Sequence, residues 1–101
     1  MSAEAIAKKN DELRSKLPAL PWPHRLILSS EVAALDMIEI GSVITSIKEY
    51  NNFTEENDPY EEHDCIIVGG CICKIDYYDD DFEYFKEDGN RVFTIMKSHE
   101  Y

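Results

Sequence analysis

Four side chains near the middle of this sequence could do chemistry together: His63, Cys65, Lys74 and Asp76. A histidine beside a thiol and a carboxylate is a nucleophile arrangement, and a histidine oriented by a carboxylate can act as a base near neutral pH. His63, Cys65, Cys71 and Cys73 are also a possible three-Cys, one-His zinc set. The carboxylates Asp58, Glu61, Glu62 and Asp64 could collect a hard cation, but they lack the spacing and the turn glycine of a calcium loop.

Which of these sets can form depends on the strands that carry them. EHDCIIV and CICKIDY are β-rich runs joined by Gly69-Gly70, the signature of a tight hairpin. With those glycines as the turn, Val68 faces Cys71, Ile67 faces Ile72, Ile66 faces Cys73, Cys65 faces Lys74, Asp64 faces Ile75 and His63 faces Asp76. Side chains alternate along a strand. Ile66, Val68, Cys71, Cys73, Ile75 and Tyr77 then form a core face, and His63, Cys65, Ile67, Ile72, Lys74 and Asp76 the other. This count sets His63 and Cys65 apart from Cys71 and Cys73, so no metal site is expected and the cysteines read as small apolar fillers. It also gives His63 and Asp76 a plain alternative to catalysis, a cross-strand charge pair. No oxyanion donors or anchored pocket can be read beside them.

The remaining elements follow from local signals. Residues 3–17 read as an amphipathic helix capped by Ser2, with Ile6, Leu13 and Leu17 on its apolar stripe. Pro18 stops it, and residues 18–23 form a Pro-rich linker in which Trp22 is expected to lid the core. HRLILS, residues 24–29, reads as a strand, followed by a short helix over 31–35. In IEIGSVITSIKEYNNF, the β-branched residues and Gly41 favour a strand over about 42–50, against a helical spacing of Ile40, Val43, Ile44 and Ile47. Residues 79–89 are acidic and turn-like, with Phe82, Tyr84 and Phe85 as candidate anchors, and RVFTIMKS, residues 91–98, alternates as a strand. The expected fold is α+β: one domain over residues 1–101, with an N-terminal helix (1–17) packed on an antiparallel sheet of four to five strands (24–101) around the Gly-Gly hairpin.

Charge is the strongest compositional signal. The 101 residues carry a formal net charge of −11, with 21 acidic against 10 basic residues. Residues 1–50 hold six Lys/Arg and seven Asp/Glu; residues 51–101 hold four and fourteen. Direct nucleic-acid binding through phosphates needs the opposite sign. No apolar run is long enough for a membrane helix. The start, MSAEAIAKKNDELRSKL, has no apolar core of a signal peptide, and the odd cysteine count suits a reducing compartment. A cytoplasmic location is expected, in the host cell if the chain is phage-encoded. The charge has two readings, a solvated surface or a face shaped for a basic partner.

Several ordered blocks resemble a known family. Asn57-Asp58-Pro59-Tyr60, Glu62-His63-Asp64, Lys74-Ile75-Asp76-Tyr77-Tyr78-Asp79, Arg91-Val92-Phe93-Thr94-Ile95-Met96 and Glu100-Tyr101 stand in the order found in DUF3768, whose pattern runs NDPYGEHDFG, WKIDYYD, RVLTIML and EY. Asn10-Asp11 with Arg14, and Phe53, also fit, so the resemblance extends from about residue 10 to 101. Glu61 stands where the family usually has Gly, Cys65 where it tends to have Phe and Cys73 where it has Trp. The resemblance implies no reaction. It implies a small protein whose relatives often lie near plasmids, prophages and other mobile DNA.

Three functions are consistent with these features. The preferred one is a non-enzymatic, anti-CRISPR-like inhibitor that occupies the basic surface of a host defence or nucleic-acid-binding complex. Its contacts would be Asp58, Tyr60, Glu61, Glu62, Asp64, Tyr78, Asp79, Asp80, Asp81 and Glu83, with tyrosines as anchors. The second is a small-molecule or metal-binding protein, or a hydrolase, using His63, Asp76 and Lys74. The third is a homodimeric adaptor pairing through an exposed edge at 91–98. No cofactor motif is present.

Overall fold

A computed structural model describes residues 1–101. Helix α1 (Ala3–Arg14) is capped by Ser2, whose hydroxyl accepts from the Ala5 amide. It is shorter than the expected 3–17, since turns carry the chain on to Leu17. Strand β1 (Arg25–Leu28) follows, then the single-turn α2 (Ser30–Ala33) and α3 (Met37–Glu49). Strands β2 (Cys65–Val68), β3 (Cys71–Tyr78) and β4 (Asn90–Lys97) and a final 3₁₀ turn (Ser98–Glu100) complete the chain. The fold is α+β.

The sheet order is β1-β4-β3-β2. The hairpin register matches the count made from Gly69-Gly70: Cys65 pairs with Lys74, Ile66 with Cys73, Ile67 with Ile72 and Val68 with Cys71. Both glycines have positive φ, 60° and 74°, as a primed two-residue turn requires. β3 and β4 are also antiparallel, but β1 runs parallel to β4, so the sheet is mixed rather than wholly antiparallel. The helical connection through α2 and α3 makes that direction possible. β4 is therefore central, with no free edge at 91–98 through which a copy could pair; the edges are β1 and β2.

The expected strand at 42–50 is helix α3. Asp36 caps it, accepting from the Glu39 amide at 2.8 Å, and Ile40, Val43, Ile44 and Ile47 turn to one side. That stripe overrides the β-branched propensity, because burial outweighs an intrinsic preference of tenths of a kcal/mol per residue. Thirteen buried residues form one cluster: Ile6, Leu13 and Leu17, Val32, Ile44 and Ile47 from the helical side, against the inner sheet face of Ile66, Cys71, Cys73, Ile75, Tyr77, Phe93 and Ile95. Trp22 is 85% exposed and lids nothing. No helix is long and apolar enough to cross a membrane.

Candidate functional site

The polar residues of the sequence blocks gather around α1, not around β3. On the buried side, Asn10 is fully enclosed. Its Nδ2 donates to the Glu62 carbonyl and to Tyr77 Oη, each at 2.9 Å, and its Oδ1 accepts from Arg91 Nε at 3.1 Å. Arg91, also fully enclosed, donates to the Gly89 carbonyl at 2.8 Å and lies 4.3 Å over the Tyr77 ring. Gly89 can be nothing larger, since a Cβ there would meet the Tyr78 carbonyl oxygen at 2.0 Å. Tyr77 Oη donates to Asp64 at 3.0 Å. Burial raises the Tyr77 pKa strongly, so the phenol keeps its proton.

One turn along α1, Arg14 answers the C-terminal end of α3. Its guanidinium donates to the carbonyls of Ile47 (2.6 Å), Lys48 (3.2 Å) and Tyr50 (2.9 Å) at the helix end, where the Ile47 carbonyl also accepts from the Tyr50 amide. It also pairs with Asp11 at 3.0 Å. Asp11 in turn holds His63: Nδ1 lies 3.0 Å from both of its carboxylate oxygens. An ionised carboxylate only accepts, so Nδ1 carries the hydrogen.

His63 is thus not opposite Asp76. Strand β2 begins at Cys65, and His63 has φ 55°, outside the β region, so the alternation counted along the hairpin stops before it reaches His63. Asp76 pairs instead with Lys74 at 3.0 Å on the outer face of β3. That hydrogen bond raises the Lys74 pKa. Cys65 is half-buried and its pKa is raised by burial and then by Asp64 and Asp58; Cys73 is pushed up to about 12 by burial. These thiols keep their protons, the opposite of what a nucleophile needs.

Glu61 also has positive φ, 59°. With two residues of the segment in the left-handed region, Glu61 and His63 face one side and Glu62 and Asp64 the other. The first side opens on a cleft of about 920 Å³ between α1 and residues 53–63. Six carboxylates line it (Glu4, Asp11, Glu12, Glu55, Asp58 and Glu61) against the cations Lys8 and, when protonated, His63. Phe53 forms a wall, stacked on the His63 ring at 3.8 Å and 3°. The second side opens on a smaller depression of about 350 Å³, where Glu62, Asp64 and Asp76 meet Tyr77, Tyr78 and Phe85. Burial, then repulsion from Asp64, raises the Glu62 pKa.

Of the contacts expected from sequence, Asp58 is buried, at the floor of the cleft rather than on an outer face. Tyr60 and Glu61 are exposed; Glu62, Asp64, Tyr78 and Asp79 are half-buried; Asp80, Asp81 and Glu83 are exposed on the turn after β3. The Glu83 amide bonds Asp79 at 3.0 Å and lowers its pKa. The cleft residues Glu4, Glu12 and Glu55 carried no motif signal. Asp11 and Phe53 were visible only through the family pattern.

Fold and site together define a small α+β protein with a mixed four-stranded sheet and an acidic cleft beside its N-terminal helix. DUF3768, described as a protein of unknown function, matches residues 28–100, and the chain belongs to that family. Helix α1 lies outside the matched span yet supplies Asn10, Asp11 and Arg14 to the network. No curated protein and no solved structure matches the chain.

Proposed function

We propose that this chain is a non-enzymatic binding protein that occupies a basic surface of a protein partner, and that it inhibits a host defence or nucleic-acid-binding complex by doing so. The observation that supports this most is the cleft: six carboxylates line one open depression, against Lys8 and the His63 ring. The exposed Asp80, Asp81 and Glu83 extend the same sign of charge along the second half of the chain. Such a field steers a basic partner and is screened by salt, while the exposed Tyr60 and Tyr84 offer apolar anchors. The set His63, Asp76 and Lys74 has no comparable support, because the three are not brought together: His63 lies with Asp11, while Lys74 and Asp76 pair with each other on β3.

The test is capture from host lysate at low and high salt, with the unaltered protein and with Asp79, Asp80 and Asp81 each changed to Lys. A stoichiometric, Lys/Arg-rich partner that is lost in high salt and captured more slowly by the reversed protein is the expected result. A partner held equally in high salt and by the reversed protein would refute the acidic-surface mechanism.

A further inference from the structure

We propose that β2 is the docking edge for the partner, which adds an extended segment bearing Lys or Arg to the four-stranded sheet as a further strand. This rests on the protein-binding reading above and specifies how the partner is held. β2 ends the sheet, and its register with β3 fixes which of its backbone groups are left over. The Ile75 amide donates to the Asp64 carbonyl at 2.8 Å, so Asp64, Ile66 and Val68 are the residues that bond β3. Cys65 and Ile67 alternate with them and direct their N–H and C=O groups to the open side. No other stretch of backbone bonds those groups. The Ile67 side chain is 59% exposed beside them. Such an edge is a template for another strand, and chains guard against pairing with Lys, Pro or a bulge. Cys65–Val68 has none of these and pairs residue for residue with β3. The opposite edge is guarded: Pro23 precedes β1, and Arg25 opens it with its guanidinium 3.7 Å over the Phe82 ring.

Charge selects the occupant. Residues 49–73 hold seven Asp/Glu and no Lys or Arg, and Glu61, Glu62 and Asp64 stand directly before the strand. Lys74, opposite Cys65 in the ladder, is already paired with Asp76 at 3.0 Å. A segment that runs along β2 and on past Cys65 therefore gains from carrying cations at that end. A second copy of this chain is the wrong occupant, since it brings another net charge of −11 to the same edge. An extended segment with apolar residues beside Ile67 and Lys or Arg at its end meets both demands. Its backbone completes Cys65 and Ile67, which gives affinity, and its side chains give the choice of partner.

The test is an NMR titration of the whole ¹⁵N-labelled chain with three short capped peptides. The first alternates threonine and valine between arginines at both ends, the second has glutamates for the arginines, and the third is the first with its central amides N-methylated. Saturable shifts and slowed hydrogen exchange of the Cys65 and Ile67 amides are expected with the first peptide. The other two should bind about tenfold more weakly, through loss of charge attraction or of the ladder bonds. Ile67→Pro removes a free donor but no bond to β3, a change that an edge strand tolerates, and should weaken the first peptide to the same degree. Should that variant fail to fold, the N-methylated peptide puts the same question to the unaltered chain. Equal binding of the glutamate or the N-methylated peptide, shifts confined to residues away from β2, or a free chain that already sediments as a dimer with Cys65 and Ile67 protected would overturn the docking edge. Partner capture lost on reversal at Asp79–Asp81 but untouched by Ile67→Pro would overturn the edge alone. Pairing of the arginine peptide at β2 without any captured partner would overturn the protein-binding reading alone.

Discussion

Glu61 holds a backbone conformation whose cost can be measured. It sits at φ 59°, a conformation that glycine adopts freely and that costs other L-residues about 1–2 kcal/mol. Glycine at this position is therefore the relaxed choice. Glu61→Gly should raise the unfolding free energy, but by less than the full strain, because glycine also frees the unfolded chain by about 0.5–1 kcal/mol. The expected net gain is about 0.5–1 kcal/mol, read as a higher urea midpoint at unchanged slope. A lower midpoint would mean that the Glu61 carboxylate makes a contact worth more than the strain. The same backbone explains what sequence could not reveal about His63. Period-two counting holds only while residues stay in the β region, and His63, at φ 55°, lies just outside it. The correct hairpin register from Cys65 to Lys74 thus led to a wrong partner two residues earlier.

At the scale of elements, α3 separates propensity from burial. IEIGSVITSIKE carries both signals, and the β-branched count points to a strand. What decides it is tertiary: the stripe from Ile40 to Ile47 has a core to face, Asp36 caps one end and the Arg14 guanidinium answers the other. The helical spacing of that stripe was legible; the core it faces and the Arg14 contact were not. Gly41 tests the outcome directly. It lies inside the helix, exposed, and a Cβ there would meet no atom within 4 Å. Gly41→Ala should stabilise the protein by about 1 kcal/mol, the difference between the two residues in a helix interior. In a strand the gain would be smaller, since alanine, though better than glycine, is itself a poor strand former. Thermal denaturation of the two proteins distinguishes these cases, with unchanged or reduced stability counting against the helix. The parallel placing of β1 was hidden for a similar reason. Alternation defines a strand and its faces, whereas direction depends on a connection read wrongly as extended.

For the whole molecule, the charge imbalance was plain in the sequence, but its coupling to pH depends on which carboxylates fold puts where. Glu62 has its pKa raised above the usual 4.5 by burial and by Asp64. Between 4.5 and that raised value the native state binds more protons than the unfolded chain, so stability falls as pH rises through this interval. The net charge of −11 acts in the same sense, since protonation relieves self-repulsion. Asp36, Asp79 and Asp88 are lowered from 3.8, and Glu100 from 4.5, chiefly by hydrogen bonds to their ionised forms. Their contribution is present above those usual values and disappears as pH falls through the lowered ones. Burial lowers the His24 pKa from 6.5, so its contribution grows as pH rises to that value. Thermal stability should therefore fall in strong acid, while on the neutral side Glu62 and the net charge work against His24. Two comparisons divide the neutral-side slope. Glu62→Gln removes the specific part, and added salt removes the general part by screening. A slope untouched by Glu62→Gln but flattened by salt would assign the whole effect to net charge. If salt instead leaves the slope intact, Glu62 and Asp64 dominate, because a half-buried pair is screened less than an open surface. The same salt that stabilises the free protein should weaken its hold on a basic partner. This opposition is peculiar to a chain whose surface repels itself until something cationic covers it.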